Sequence, residues 1–120
     1  MVSVLVAEDE PHIAEALNFL LRREGYTVTL CDDGPTAMSY LESHDILLLD
    51  IMLPGATGFE IAEAAKSAAN QPKICVLTAK GQAADRDKMD RIGVDAFVTK
   101  PFSNKALLET VRALANGRTP

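Results

Sequence analysis

Four consecutive aliphatic residues, 46–49, lead directly into one acidic residue, Asp50, and then into the turn residues Pro54 and Gly55. An apolar run without polar alternation predicts a strand that is covered on both faces, which is typical of central strands in parallel sheets flanked by helices. Asp50 is then expected at the carboxyl end of that strand. In open α/β sheets, ligands bind and catalytic residues lie at this edge.

Strand and helix patterns alternate along the 120 residues, which predicts one α/β domain with a parallel sheet between two layers of helices. Five strands are predicted, at residues 3–7, 27–30, 46–50, 74–77 and 96–99. Helices are predicted from Pro11 to before Gly25, from residues 33–35, from about Gly58, over about 84–92, and after Ser103 as an N-cap. The fourth helix carries only Met89 and Ile92 as large apolar residues, so we expect it to dock least securely.

Composition and charge exclude several classes of protein. A formal net charge of −5 without a Lys/Arg cluster argues against a nucleic-acid-binding face. No apolar run has the length of a membrane span or a signal peptide, so we expect a cytoplasmic protein that does not bind membranes. Cys31 and Cys75 lack metal-site spacing and are expected to be reduced residues of the core or strands.

Acidic residues also follow the first strand, at Glu8 and Asp9. If strands one and three are neighbours, these carboxylates lie beside Asp50, where two charges about 4 Å apart repel by roughly 4 kcal/mol at an effective dielectric of about 20. Such a cluster calls for a cation, and oxygen ligands suit Mg²⁺. The alternatives are ordinary ones: Asp9 or Glu10 could cap the first helix, and Asp50 alone could be a turn residue.

Two further polar residues stand at the ends of later strands, Thr78 after strand four and Lys100 after strand five. A carboxylate nucleophile, a cation site, a hydroxyl and an ammonium are the groups that acyl-phosphate formation needs. Asp50 would attack phosphorus while Mg²⁺ and Lys100 neutralise the phosphoryl oxygens. Taken singly, Thr78 could be a strand-end hydroxyl and Lys100 a solvated surface charge.

Four motifs carry a family resemblance: AEDE at 7–10, LLLDIMLPGATG at 47–58, LTA at 77–79 and FVTKPF at 97–102. Together they resemble the response regulator receiver domain, the phosphoacceptor of two-component signalling. The resemblance implies a flavodoxin-like, doubly wound sheet of five parallel strands in the order 2-1-3-4-5, with five helices. We expect the receiver to span residues 1–116, with 117–120 as a C-terminal tail or the start of a linker.

The resemblance also implies a role for each site residue. Asp50 would be the phosphorylated residue and Lys100 the phosphoryl contact, with the Lys100 to Pro101 peptide bond in the cis form. Thr78 would be the switch hydroxyl, and Phe97 the aromatic that fills the space vacated by Thr78, so that helix four, strand five and helix five form the output face. The implied ligands of Mg²⁺ are Asp9, Asp50, the backbone carbonyl of Met52 and, through water, Glu8. Such a chain is a signalling domain rather than an enzyme, although it promotes its own phosphorylation and dephosphorylation.

The resemblance further implies a docking surface for a histidine kinase or a histidine phosphotransfer protein. The 3.6-residue period turns Ala16 and Phe19 of the first helix toward solvent, and Pro101 lies in the loop after strand five. We expect these three residues to contact the partner. The alternative for Phe19 is an isolated exposed aromatic, which is common on protein surfaces.

The downstream role of the chain is predicted from the absence of certain charged residues. Receivers of winged-helix transcription factors pair through charged residues where this chain has Ala96, Ala106 and Thr110. This favours a stand-alone receiver, monomeric or weakly dimeric, over the N-terminal receiver of a DNA-binding protein or a phosphorylation-independent interaction module. A haloacid-dehalogenase-like phosphatase would have a second Asp two residues after the nucleophile, where this chain has Met52. A flavodoxin-like cofactor binder would need a phosphate-binding loop after the first strand, where this chain has the acidic segment EDEPH at 8–12.

Overall fold

The structure is a computed structural model that describes residues 1–79 and 82–117. Its strands are β1 (Ser3–Ala7), β2 (Thr27–Cys31), β3 (Ile46–Asp50), β4 (Lys73–Ala79) and β5 (Ala96–Lys100). Its helices are α1 (Pro11–Arg23), α2 (Gly34–Tyr40), α3 (Gly58–Ser67), α4 (Ala83–Ile92) and α5 (Asn104–Ala115), with a short 3-10 helix at Leu41–Ser43 after α2. Every strand pairing is parallel, and the order is β2-β1-β3-β4-β5. The predicted flavodoxin-like fold is confirmed.

The central strand β3 is buried along its whole length, as its apolar run predicts. Its side chains alternate between two hydrophobic cores. Ile46 and Leu48 pack in the first core, with side chains of α1 and α5, whereas Leu47 and Leu49 pack in the second core, with side chains of α2, α3 and α4. Burying each of these side chains contributes roughly 1.5–3 kcal/mol. The two cores therefore fix β3, and with it the position of Asp50 at the strand end.

Three strands run further than the apolar pattern predicts. β2 includes Cys31, β4 runs from Lys73 to Ala79, and β5 includes Lys100. These extra residues pair in register with neighbours, as Ala79 does with Lys100. Backbone pairing continues after the apolar side chains stop, so Thr78 and Lys100 lie within the last rungs of the sheet rather than beyond them.

The predicted N-cap of α5 is confirmed, and the structure decides which residue stands at the N-cap of α1. Ser103 caps α5, because its hydroxyl accepts a hydrogen bond from the Ala106 N–H at 3.0 Å. The N-cap of α1 is Glu10, which makes no side-chain cap hydrogen bond. Of the two residues that could cap α1, Glu10 therefore stands at the N-cap position, whereas Asp9 lies one residue earlier and its carboxylate belongs to the acidic cluster described below.

Both cysteines are free and buried, as predicted. Burial raises the pKa of the Cys31 thiol to about 11 and that of the Cys75 thiol to about 12. Among the described residues, none of the helices combines the length and the apolar character that crossing a lipid bilayer requires.

Candidate functional site

Three carboxylates meet at the carboxyl edge of the sheet. β1 and β3 are adjacent and in register, with Ala7 opposite Leu49, so the residues that follow Ala7 stand beside Asp50. One carboxylate oxygen from each of Glu8, Asp9 and Asp50 lies within 4.8 Å of the others. Glu8 is 1% exposed and Asp50 is 9% exposed, whereas Asp9 is exposed. The structure therefore brings the predicted acidic residues together.

The ammonium of Lys100 completes this cluster from two strands away. Its Nζ atom lies 2.6 Å from Oε1 of Glu8 and 3.3 Å from Oδ2 of Asp50. Lys100 stands at the end of β5, and its side chain crosses the end of β4 to reach the carboxylates. The peptide bond between Lys100 and Pro101 is cis, as the family resemblance implies.

Burial and charge change the acidity of two groups in the cluster. Burial, together with the hydrogen bond to Asp50, raises the pKa of Glu8 to about 7, although Lys100 acts in the opposite direction. Burial alone would lower the pKa of the Lys100 ammonium, but its hydrogen bond to Glu8 and the charge of Asp50 outweigh it, so the net effect raises this pKa. The Lys100 ammonium thus pairs with two of the three carboxylates, those of Glu8 and Asp50.

Backbone contacts hold the loop after β3 against the site. The Met52 N–H donates a hydrogen bond to Oδ1 of Asp50 at 3.2 Å. Farther along, the Gly58 N–H donates to the Ile51 carbonyl at 2.9 Å, and the Gly34 N–H donates to the Pro54 carbonyl at 2.8 Å. The Met52 residue itself is 70% exposed.

The two predicted switch residues lie on β4 and β5, the strands that follow β3 in the sheet. Leu77 pairs with Asp50, so Thr78 stands one rung further toward the same edge, and its side chain is buried. Phe97 is half-buried and packs against the second core. The guanidinium carbon of Arg86, on α4, lies 4.5 Å from the centroid of its ring.

The residues predicted to contact a partner lie outside the acidic cluster. Phe19 is 68% exposed on α1, and Ala16 is exposed one turn before it. The guanidinium carbon of Arg23 lies 5.7 Å from the centroid of the Phe19 ring. Pro101 is also exposed, directly after Lys100.

Sequence reasoning missed the contacts of α4 with the switch region. Besides Arg86 on Phe97, the Gln82 side chain accepts a hydrogen bond from the Ala79 N–H at 3.0 Å, and the Lys88 ammonium lies 4.2 Å from the centroid of the Phe59 ring. No spacing rule predicts these pairs, because they depend on where α4 lies against β5 and α3.

The donor set fits a hard divalent cation. The carboxylate oxygens of the cluster lie close enough together to share one ion, and oxygen ligands at a partly exposed edge suit Mg²⁺. Among the described residues, neither cysteine belongs to this cluster, which consists of carboxylates alone.

Comparison with known protein families identifies the family to which the chain belongs. The model of the response regulator receiver domain matches residues 4–112. The chain belongs to this family. It is therefore the receiver domain of a two-component response regulator, and a receiver is a signalling domain.

Two curated relatives of this receiver are longer proteins. The sensory transduction protein RegX3 of Mycolicibacterium smegmatis is 40% identical over 116 residues, which cover 95% of this chain and 50% of the relative. RegX3 of Mycobacterium tuberculosis is also 40% identical over 116 residues, which cover 95% of this chain and 51% of the relative. The receiver thus spans about half the length of the curated relatives it matches.

Solved receivers share its fold. The receiver domain of the sensor histidine kinase PA1611 from Pseudomonas aeruginosa superposes with a TM-score of 0.87 at 28% identity, covering 96% of this chain and 98% of that one. That protein has a magnesium ion coordinated in its active site cleft. The chemotaxis protein CheY4 of Vibrio cholerae superposes with a TM-score of 0.87 at 25% identity, covering 95% of this chain and 98% of that one.

Proposed function

We propose that this receiver accepts a phosphoryl group on Asp50 from a histidine kinase or a histidine phosphotransfer protein. The observation that carries the proposal is the convergence of Glu8, Asp9, Asp50 and Lys100 on one edge of the sheet. Asp50 is the best placed nucleophile, because its carboxylate lies 3.3 Å from the Lys100 ammonium and, unlike that of Glu8, belongs to a residue that is 9% exposed. The family and the related receivers support this assignment.

In the proposed transfer, a carboxylate oxygen of Asp50 attacks the phosphorus of a phosphohistidine. An oxygen–phosphorus bond forms, the phosphorus–nitrogen bond breaks, and the electron pair returns to the imidazole of the donor. The Lys100 ammonium, 3.3 Å from Asp50, is in reach of the phosphoryl oxygens and stabilises their charge. The Met52 N–H orients the Asp50 carboxylate through its hydrogen bond to Oδ1.

The cofactor of this reaction is proposed to be Mg²⁺. Asp9, Asp50 and the Met52 carbonyl would hold the ion, with Glu8 acting through water. When bound, Mg²⁺ supplies positive charge that neutralises the carboxylates and the incoming phosphoryl oxygens. The magnesium ion in the active site cleft of the related PA1611 receiver supports the choice of metal.

Titration with Mg²⁺, followed by calorimetry, tests the metal site. Asp9→Asn removes one charged ligand and is expected to weaken binding by more than about tenfold, since loss of a residue that merely supports a metal ligand already costs about 10–100-fold in affinity. Glu10→Gln is the matched control, because it removes one charge from the next residue, which is not part of the cluster. Equal weakening by the two variants would mean that only overall charge attracts the ion.

The response to phosphorylation is proposed to pass through Thr78 and Phe97. A phosphoryl group adds negative charge and hydrogen-bond acceptors beside Asp50, which attracts the Thr78 hydroxyl. The movement of Thr78 leaves space that the Phe97 ring occupies. The surface of α4, β5 and α5 then changes, and we propose that it contacts the downstream protein.

Phe19, Ala16 and Pro101 are proposed to contact the histidine donor. Phe19→Ala is expected to slow transfer from the fastest donor in a panel of purified histidine kinases, while the rate with acetyl phosphate stays unchanged. Tyr40→Ala, which removes an exposed aromatic from α2, is the control. If transfer from the histidine donor is unchanged in Phe19→Ala, the docking surface lies elsewhere.

The domain is proposed to comprise residues 1–116 and to act as a stand-alone receiver that is monomeric or weakly dimeric. Ala96 is buried, Ala106 carries no charge, and the Thr110 hydroxyl donates to the Ala106 carbonyl within α5, so these positions offer no ion pairs to a second copy.

Of the proposed tail, 117–120, residues 118–120 lie outside the described residues. The alternative is the N-terminal receiver of a transcription factor whose DNA-binding domain is absent from this chain, and what supports it is that the matched segment covers only about half of each RegX3 relative, 50% and 51%. The cytoplasmic location stays a prediction.

A further inference from the structure

Helix α4 contacts the rest of the fold through two apolar side chains, Met89 and the partly buried Ile92, and through two cations. Met89 is its buried side chain. The Arg86 guanidinium carbon lies 4.5 Å from the centroid of the Phe97 ring, and the Lys88 ammonium lies 4.2 Å from the centroid of the Phe59 ring. A cation within about 6 Å of a ring centroid is attracted by the negative face of the ring. Both rings pack against the second core, so the two cations tie α4 to it.

The N-cap and first turn of α4 contact Ala79, the residue after Thr78, and the ring of Phe97. Gln82, at the N-cap of α4, accepts a hydrogen bond from the Ala79 N–H at 3.0 Å, directly after Thr78. Its own carbonyl accepts a hydrogen bond from the Arg86 N–H at 3.0 Å. Residues four apart lie on the same helix face. The face of α4 that contacts the end of β4 through Gln82 therefore also carries Arg86, whose guanidinium lies over the Phe97 ring.

The Arg86 guanidinium is available for this contact. Within the described part of the chain, Arg86 takes part in no salt bridge. The guanidinium thus stacks on the ring rather than pairing with a carboxylate.

We propose that Arg86 is a positioning residue of the receiver switch, which holds the Phe97 ring in its present position and so favours the unphosphorylated arrangement. The proposal rests on the proposed function, in which Phe97 moves inward after Asp50 is phosphorylated. Inward movement takes the ring away from the guanidinium, so the contact exists in only one of the two arrangements. A contact made in one state alone shifts the equilibrium toward that state.

Phosphorylation by acetyl phosphate tests the direction of this effect. Arg86→Gln is expected to accelerate phosphorylation about two- to fivefold, the population change that corresponds to loss of one exposed cation–π contact. Arg86→Lys keeps a cation and should stay near the wild-type rate. Lys88→Gln is the matched control, because it removes the same charge two residues away and contacts Phe59 instead. Equal acceleration by Arg86→Gln and Lys88→Gln would overturn the proposal, since both would then act by loosening α4.

The same substitution in a Phe97→Leu background shows whether Arg86 acts through the ring. We expect Arg86→Gln to have no effect on the phosphorylation rate in that background, because the aromatic partner is gone. An undiminished effect would mean that Arg86 acts on another group, and the proposal would be wrong.

A measurement on the unphosphorylated protein separates this proposal from the proposed function. With ¹³C-labelled phenylalanine rings, Arg86→Gln is expected to shift the NMR signals of Phe97, and Lys88→Gln those of Phe59. Unmoved Phe97 signals in Arg86→Gln overturn the positioning role even if Asp50 is phosphorylated. Shifted Phe97 signals in a protein that takes no phosphoryl group would support the contact while refuting phosphorylation at Asp50.

Discussion

Gly58 allows helix α3 to begin directly against the end of β3. A Cβ atom on this buried residue would lie 2.6 Å from Cα of Ile51 and 3.1 Å from the carbonyl oxygen of Asp50. Both neighbours are backbone atoms, which cannot rotate away. The absence of a side chain at this position therefore fixes how closely α3 approaches the proposed phosphorylation site.

Gly58→Ala is expected to lower the free energy of unfolding by about 1–3 kcal/mol, the usual cost of overpacking. It is also expected to slow phosphorylation by acetyl phosphate, because relief of the clash displaces the backbone of Asp50. Urea unfolding measures the first effect and mass spectrometry the second. Gly25→Ala is the control: Gly25 has φ of 93°, and a Cβ atom added there would meet no other atom within 4 Å, so this variant should lose stability through its backbone and keep the phosphorylation rate. A normal rate in Gly58→Ala would show that this close approach does not position Asp50.

At the same scale, the acidic cluster and Lys100 could be predicted from the sequence. An apolar run shows where a strand ends, and so it locates the polar residue that follows. Parallel strands bring their carboxyl ends to one edge of the sheet, so these polar residues lie at the same edge. Arg86 could not be assigned in this way. Its contact with Phe97 depends on the position of α4, which the sequence of a mostly charged helix does not determine.

Helix α3 begins with a reciprocal pair of hydrogen bonds. The Thr57 hydroxyl accepts from the Glu60 N–H at 3.2 Å, and the Glu60 carboxylate accepts from the Thr57 N–H at 3.0 Å. Two N–H groups that the helix leaves unpaired are satisfied in this way. The cap thus defines where the loop after β3 ends and α3 begins.

Thr57→Ala is expected to reduce the free energy of unfolding by about 1 kcal/mol, the typical cost of losing an N-cap side chain. Thr110→Ala provides the comparison, because the Thr110 hydroxyl donates only to the Ala106 carbonyl within α5, and such a change should cost less than about 0.5 kcal/mol. Urea unfolding of both variants at neutral pH measures the difference. Equal losses would argue against a stabilising cap at Thr57.

The ends of elements were harder to predict than their existence. Apolar runs locate β2, β4 and β5, but polar residues at their ends, such as Thr78 and Lys100, break the pattern while the backbone pairing continues. At α1, two acidic residues precede Pro11, and only the structure distinguishes the N-cap, Glu10, from the cluster residue, Asp9.

For the whole molecule, the strength of attachment to the sheet differs among the helices. α3 buries Gly58, Ile61, Ala62 and Ala65, whereas α4 buries Met89 alone. Local stability follows buried apolar contact, so α4 has less to hold it in place than α3. This agrees with its proposed place in the output surface, because a helix that moves on phosphorylation should lose little free energy of packing when it does so.

Hydrogen exchange followed by mass spectrometry tests this difference in attachment. We expect the amides of α4 to exchange through local opening, well before those of α3 and β3, which should exchange only with unfolding of the whole domain. Phosphorylation should change exchange in α4 more than in α3. Equal protection of α4 and β3 would contradict a weakly held α4.

The order of the strands belongs to this scale as well. Alternating strands and helices predict a parallel sheet covered on both faces, but the alternation by itself does not set which strands are neighbours. The order 2-1-3-4-5 came from the family resemblance, and the strand pairings confirm it. Without that order, Glu8 and Asp9 could not have been placed beside Asp50.

Phosphorylation of Asp50 is the central claim, and the intact mass of the protein after treatment with acetyl phosphate tests it most directly. The measurement is made with and without Mg²⁺, beside Asp50→Asn. We expect a single phosphoryl adduct on the wild type that requires Mg²⁺ and is absent from the variant. An adduct of equal yield on Asp50→Asn, or none on a wild-type protein shown separately to bind Mg²⁺, would contradict the claim and favour an interaction module that works without phosphorylation.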